Sequence, residues 1–134
     1  MKKIFLLILL TISFILTGCS NSSLSKISID EVKEKMNNKE SFIVYFTSEN
    51  NKKLEKNLSE VLEENDLQGY KVDINKIKDE DENSFRLLVD YEDSSVVFVV
   101  NGIDSSKLSH ITNDDISKKD ILKRLIDMNF IKRS

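Results

Sequence analysis

Phe42-Ile43-Val44-Tyr45-Phe46-Thr47-Ser48 is the stretch from which the fold can be read outward. Its first five residues are all apolar and rich in aromatic and β-branched side chains. Alternate side chains leave a strand on opposite faces, and here both sets avoid water, which suits a central strand covered on both sides. A second run of the same kind, Val96-Val97-Phe98-Val99-Val100, leads into Asn101-Gly102, the dipeptide most typical of a tight hairpin turn. The segment around Lys107 to Ile111 is therefore expected to return antiparallel beside it. Between the two runs, Tyr70, Val72 and Ile74 alternate with Lys71 and Asp73, the period-two pattern of a half-solvated strand, expected at an edge.

Helical patterns fill the gaps. Ser28 followed three residues later by Glu31 reads as a capping box, with Ile29, Val32 and Met36 on one face, so a helix is predicted over about 29–38. A second, over about 51–65, carries Leu54, Leu58, Val61 and Leu62 on one stripe, and Gly69 ends the connection after it. A third, over about 80–91, follows the acidic start Asp79-Glu80-Asp81-Glu82, charge that favours a helix N-terminus. The last begins near Ser117 and buries Ile121, Leu122, Leu125 and Ile126. Two strands buried on both faces and two edge-like strands predict an α/β domain: a four-stranded mixed sheet flanked by about four helices. A right-handed crossover makes the 40s and 70s strands parallel, giving the spatial order 70s, 40s, 90s, 110s.

That order, with Ile43-Val44-Tyr45-Phe46-Thr47-Ser48, Val72-Asp73-Ile74 and Val97-Phe98-Val99-Val100-Asn101-Gly102 at matching places, resembles the thioredoxin-like superfamily over roughly residues 27–131. The resemblance implies a Cys-x-x-Cys motif at the start of the helix after the first central strand, where the helix dipole lowers a thiol pKa. This chain has Ser48, Glu49, Asn50 and Asn51 there, leading into Lys52-Lys53. The family's cis-proline before the hairpin strand is matched by Asp93-Ser94-Ser95-Val96, and the chain contains no proline. Because a non-proline cis bond costs about 2.5–4 kcal/mol, Ser94 and Ser95 are expected to follow ordinary trans peptides. The resemblance thus implies the scaffold and a polar groove bordered by Ser48–Asn51 and Ser94–Val96, without the redox chemistry.

The amino terminus is of a different kind. Lys2 and Lys3 precede an uncharged run from Ile4 to Leu16, interrupted only by Thr11 and Ser13, in the layout of a signal peptide. As a helix that run spans about 20 Å, short of the roughly 30 Å hydrocarbon core of a bilayer. Leu16, Thr17, Gly18 and Cys19 resemble the lipobox of bacterial lipoproteins. The resemblance implies a diacylglyceryl group on Cys19, cleavage just before it by signal peptidase II, and anchoring on the outer, extracytoplasmic face of the cell membrane. Two acyl chains hold a protein stably where one holds it only marginally. The predicted divisions are a signal peptide over 1–18, a small polar tether over 19–26 and a folded domain over 27–134.

Removal of the first 18 of 134 residues leaves 116, enough for one domain and one core. It also removes two lysines and no acid, so 20 basic against 23 acidic residues become 18 against 23, about −5, which disfavours nucleic acid as a partner. Cys19 is the only cysteine, and a lipid on its sulfur leaves no disulfide, thiolate nucleophile or thiolate metal site. His110 is the only histidine and lacks a second ligand at metal-binding spacing. No Gly-x-Ser-x-Gly elbow accompanies the many serines. Asp79, Asp81, Asn83 and Asp90 mimic a calcium loop, but Ser84 stands where glycine is required and Arg86 intrudes, so a solvated helix start is preferred. Lys118, Lys119, Lys123, Arg124, Lys132 and Arg133 make the last helix basic, by default a solvated face, with docking to an anionic polymer or lipid as the alternative.

No metal or cofactor is implied. The expected role is that of a non-catalytic, membrane-anchored module that binds or assists another envelope protein. The alternatives are an enzyme built on carboxylates such as Asp73 or Asp90 and Glu92, and a purely structural envelope lipoprotein.

Overall fold

A computed structural model describes residues 23–48, 52–109 and 116–132. Leu16–Cys19, which resemble a lipobox, residues 49–51 and His110 lie outside them. In chain order the elements are β1 (Leu24–Lys26), α1 (Ile29–Asn37), β2 (Phe42–Thr47), α2 (Lys52–Glu64), β3 (Gly69–Asp73), a 3-10 turn (Ile74–Lys76), α3 (Asp79–Leu88), β4 (Ser95–Val100), β5 (Ile103–Ser109) and α4 (Lys118–Asp127).

The sheet has five strands, not four, in the order β1-β3-β2-β4-β5. The four expected strands take their expected order; the correction is β1, which pairs parallel with β3, Leu24 opposite Gly69 and Lys26 opposite Lys71. Its residues fall within the tether expected over 19–26, and its presence makes β3 an interior strand. Three residues among serines are too few to show periodicity, so β1 is specified by what it meets. Leu24 is buried against the core of the α2 side. A Cβ on Gly69 would lie 2.6 Å from Leu62 Cδ1 and 3.0 Å from Leu24 Cδ2, so the missing side chain is what lets β1 and α2 close together there.

β2 is buried along its whole length, as a central strand should be, parallel to β3 and antiparallel to β4. Its alternate side chains divide the interior. Ile43 and Tyr45 join Phe98, Leu58, Leu62, Ile121 and Leu125 beneath α2 and α4. Val44 and Phe46 join Val97, Val32, Phe85 and Tyr91 beneath α1 and α3.

Two other boundaries move. α3 stops at Leu88 rather than near 91, because Val89 turns extended (φ −135°) and both Val89 and Tyr91 are buried. Tyr91 stacks on Phe46 with ring centroids 4.8 Å apart, a contact that an extra helical turn would swing away. β5 begins directly after the turn, at Ile103 rather than near 107, and a bulge lies opposite Phe98/Val99. Its polar Asp104-Ser105-Ser106 gives no hydrophobic signal, and residues 110 and 111 are outside the described set. Asn101 (φ 53°) and Gly102 (φ 80°) both adopt positive φ, as the hairpin turn requires.

Gly102 carries a second constraint. A Cβ there would press on the Met36 carbonyl oxygen and lie 3.0 Å from Lys39 Cα, while its N–H donates to Glu40 O at 2.9 Å. Gly102→Ala is therefore expected to lower the unfolding free energy by about 2 kcal/mol or more, the left-handed conformation alone costing roughly 1–2 kcal/mol. Urea denaturation checks this; a change within the ~0.5 kcal/mol of an ordinary surface substitution would refute it.

Candidate functional site

The carboxyl end of β2 and the start of β4 lie side by side, Phe46 opposite Ser95, at the positions expected to border a polar groove. Ser48 leaves β2 and is fastened to the loop before β4: its N–H donates to Asp93 Oδ1 at 2.9 Å and its hydroxyl to Asp93 Oδ2 at 2.5 Å. Ser94, mostly buried, follows with φ 62°, a strained value for a residue with a Cβ. The turn holding it is closed by Ser95, whose Oγ accepts from Glu92 N at 2.9 Å and donates to Glu92 O at 2.7 Å. All described peptide bonds are trans, including those through Ser94 and Ser95.

Tyr45 adjoins this junction through Ser94. It is fully buried, and burial pushes its hydroxyl above the ordinary tyrosine range; hydrogen bonding with Thr47 and Ser94 opposes the rise, and the nearby Glu55 and Asp93 carboxylates add to it. At neutral pH the phenol keeps its proton and can donate. Beside it, Lys71 of β3, paired in register with Tyr45, makes a half-buried ion pair with Glu55 of α2 at 2.6 Å. The junction is thus made of hydroxyls, the Asp93 carboxylate and backbone, with the Lys71–Glu55 pair beside it. Such a set can hydrogen-bond a polar chain, and its hydroxyl–carboxylate pair, Ser48 with Asp93, has no histidine or lysine beside it among the described contacts.

Other candidate carboxylates are only partly gathered. Lys107 Nζ holds Asp90 and Glu92, each at 3.0 Å. Asp73 lies elsewhere, opposite Thr47 on β3, capping the 3-10 turn by accepting from Asn75 N. Asp79, Asp81 and Asn83 lie within helix α3 rather than on a loop. No group of three or more His, Cys, Asp or Glu arranged to hold a metal occurs among the described residues. On the basic last helix, Lys118 is engaged by Glu60 at 2.5 Å and Glu64 at 3.2 Å, and Arg124 donates to Ser106 Oγ and Lys107 O.

One feature escaped sequence reasoning. A cavity of about 370 Å³ opens at the carboxyl ends of β1 and β3, between the first turns of α1 and α3. Ile27, Ile29, Val72 and Ile77 supply apolar wall, with Lys26, Lys76, Lys78, Asp30 and Asp73 at its border. It depends on β1, whose three residues carry no readable pattern.

A five-stranded mixed sheet with paired helices on each face, and a β2 end fastened to the loop before β4, defines the architecture. The fold is thioredoxin-like. A protein described as a candidate oxidoreductase with a thioredoxin fold superposes with a TM-score of 0.61 at 19% identity, covering 75% of this chain and 91% of its own. Thioredoxin NaTrxh from Nicotiana alata matches at 0.59 and 12% identity, over 81% and 95%. Thioredoxin O2 from Arabidopsis thaliana, in its oxidised state, matches at 0.54 and 16%, over 79% and 93%. At these identities the likeness is one of fold alone. No family model and no curated protein matches the sequence.

Proposed function

We propose that the chain is an extracytoplasmic lipoprotein, anchored through Cys19, whose thioredoxin-like domain binds or assists another envelope protein without thiol chemistry. The observation that carries this reading is the Ser48–Asp93 junction. Where the resemblance calls for a reactive thiol beside a proline loop, this chain ties a serine to an aspartate through both backbone and side chain. The only cysteine lies in the lipobox, some thirty residues before that position. A groove of hydroxyls, carboxylate and backbone can recognise an extended polypeptide by hydrogen bonds.

Photo-crosslinkers placed in cells at residues 49–51, which leave Ser48 and Asp93 in place, are expected to capture a discrete envelope protein, and Asp93→Ala, which unties the junction, to reduce that capture severalfold. A yield unchanged by Asp93→Ala, or capture of bulk neighbours only, would remove the support for a groove partner. Disulfide reductase activity in the purified chain would overturn the non-redox reading.

A further inference from the structure

We propose that the domain stands on the membrane with the amino-terminal ends of its parallel strands toward the lipid headgroups and the Ser48–Asp93 end turned outward. This rests on the anchoring of Cys19 proposed above. Its first support is the length of chain left over. β1 begins at Leu24, and Ser23 is already tied into the domain, its carbonyl accepting from Gly69 N at 2.7 Å and its hydroxyl donating to Ser59 O at 2.9 Å. From Cys19 to Leu24 the chain can reach at most about 18 Å. That is short of the domain's own width, since about 100 residues have a radius of gyration near 13 Å.

The second support is register. Leu24 lies opposite Gly69, Tyr70 opposite Val44, and Asp73 opposite Thr47. Ser48 is therefore about 16 Å further along the strand direction than Leu24 and two strands across. The cavity shares Ser48's end of the sheet.

The test uses the full chain, lipidated in cells and reconstituted into phosphatidylglycerol-rich vesicles with an acceptor dye on the headgroups. Donor dyes are placed on Asn38→Cys and Glu80→Cys, both exposed positions, and independently on Gln68→Cys and Lys78→Cys. Energy transfer is expected to be about twofold or more higher from 38 than from 80, and from 68 than from 78, given a height difference on the order of 15 Å. Equal or reversed transfer in protein that floats with the vesicles overturns the orientation while leaving the anchor standing. Protein that does not float with the vesicles overturns both.

Discussion

Substituting Cys19 by serine is expected to abolish incorporation of fatty-acid label into the protein and to release it from membranes under an alkaline wash. Each buried methylene contributes about 0.8 kcal/mol, so loss of two acyl chains removes a term far larger than any surface contact of an acidic domain could supply. The domain itself should fold as before, because every described element begins after Cys19 and none uses its sulfur. Metabolic labelling with palmitate, followed by washing and immunoblotting, reads both effects. A Cys19→Ser protein that resists the wash would mean that Ile4–Leu16 is an uncleaved span and the lipid anchor is wrong.

Phe46→Ala is expected to have the largest effect on stability. Phe46 is fully buried on β2, stacked 4.8 Å from Tyr91 and tilted 6.0 Å from Phe85, which in turn lies 5.6 Å from Tyr91. Truncating a buried phenylalanine costs roughly 3–5 kcal/mol, from lost transfer free energy and from the cavity left behind. A domain of this size has about 5–15 kcal/mol in total, so the variant should be marginal. The Arg86 guanidinium, 4.2 Å from the Tyr91 ring centroid, closes the far side of the cluster, which limits how well it can collapse. Urea unfolding of the lipid-free domain measures the change; a loss below about 1 kcal/mol would show that the aromatic cluster repacks. Membrane fractionation should be unaffected, which separates the two substitutions.

Legibility followed the strength of the local pattern. Phe42–Phe46 and Val96–Val100 announced themselves because both faces of each strand are buried, so neither set of alternate side chains needs to be polar. Asn101-Gly102 was readable because a two-residue hairpin turn needs two positive φ values, which those residues adopt cheaply. α3 was overextended because Val89 and Tyr91 continue an apolar pattern whose end is decided by Phe46 on another element. Ser48, Ser94 and Ser95 were placed at the groove by resemblance. Asp93 was named only as a member of its stretch, and nothing local marks an aspartate that will accept two hydrogen bonds from a residue 45 positions away.

By itself the sequence determined the elements with a strong repeat, their α/β order, the absence of any cysteine beyond Cys19, and the polar character of residues 48–51 and 93–95. These are properties of single segments or of composition, and short-range sterics and hydrophobicity suffice for them. Only the tertiary structure decided that Leu24–Lys26 is a fifth strand, that Gly69 and Gly102 are contact points, that Asp93 locks Ser48, and that a cavity opens at the ends of β1 and β3. Each of these depends on residues brought together from distant parts of the chain, where the partner's position supplies the specificity that three residues or a single side chain cannot encode.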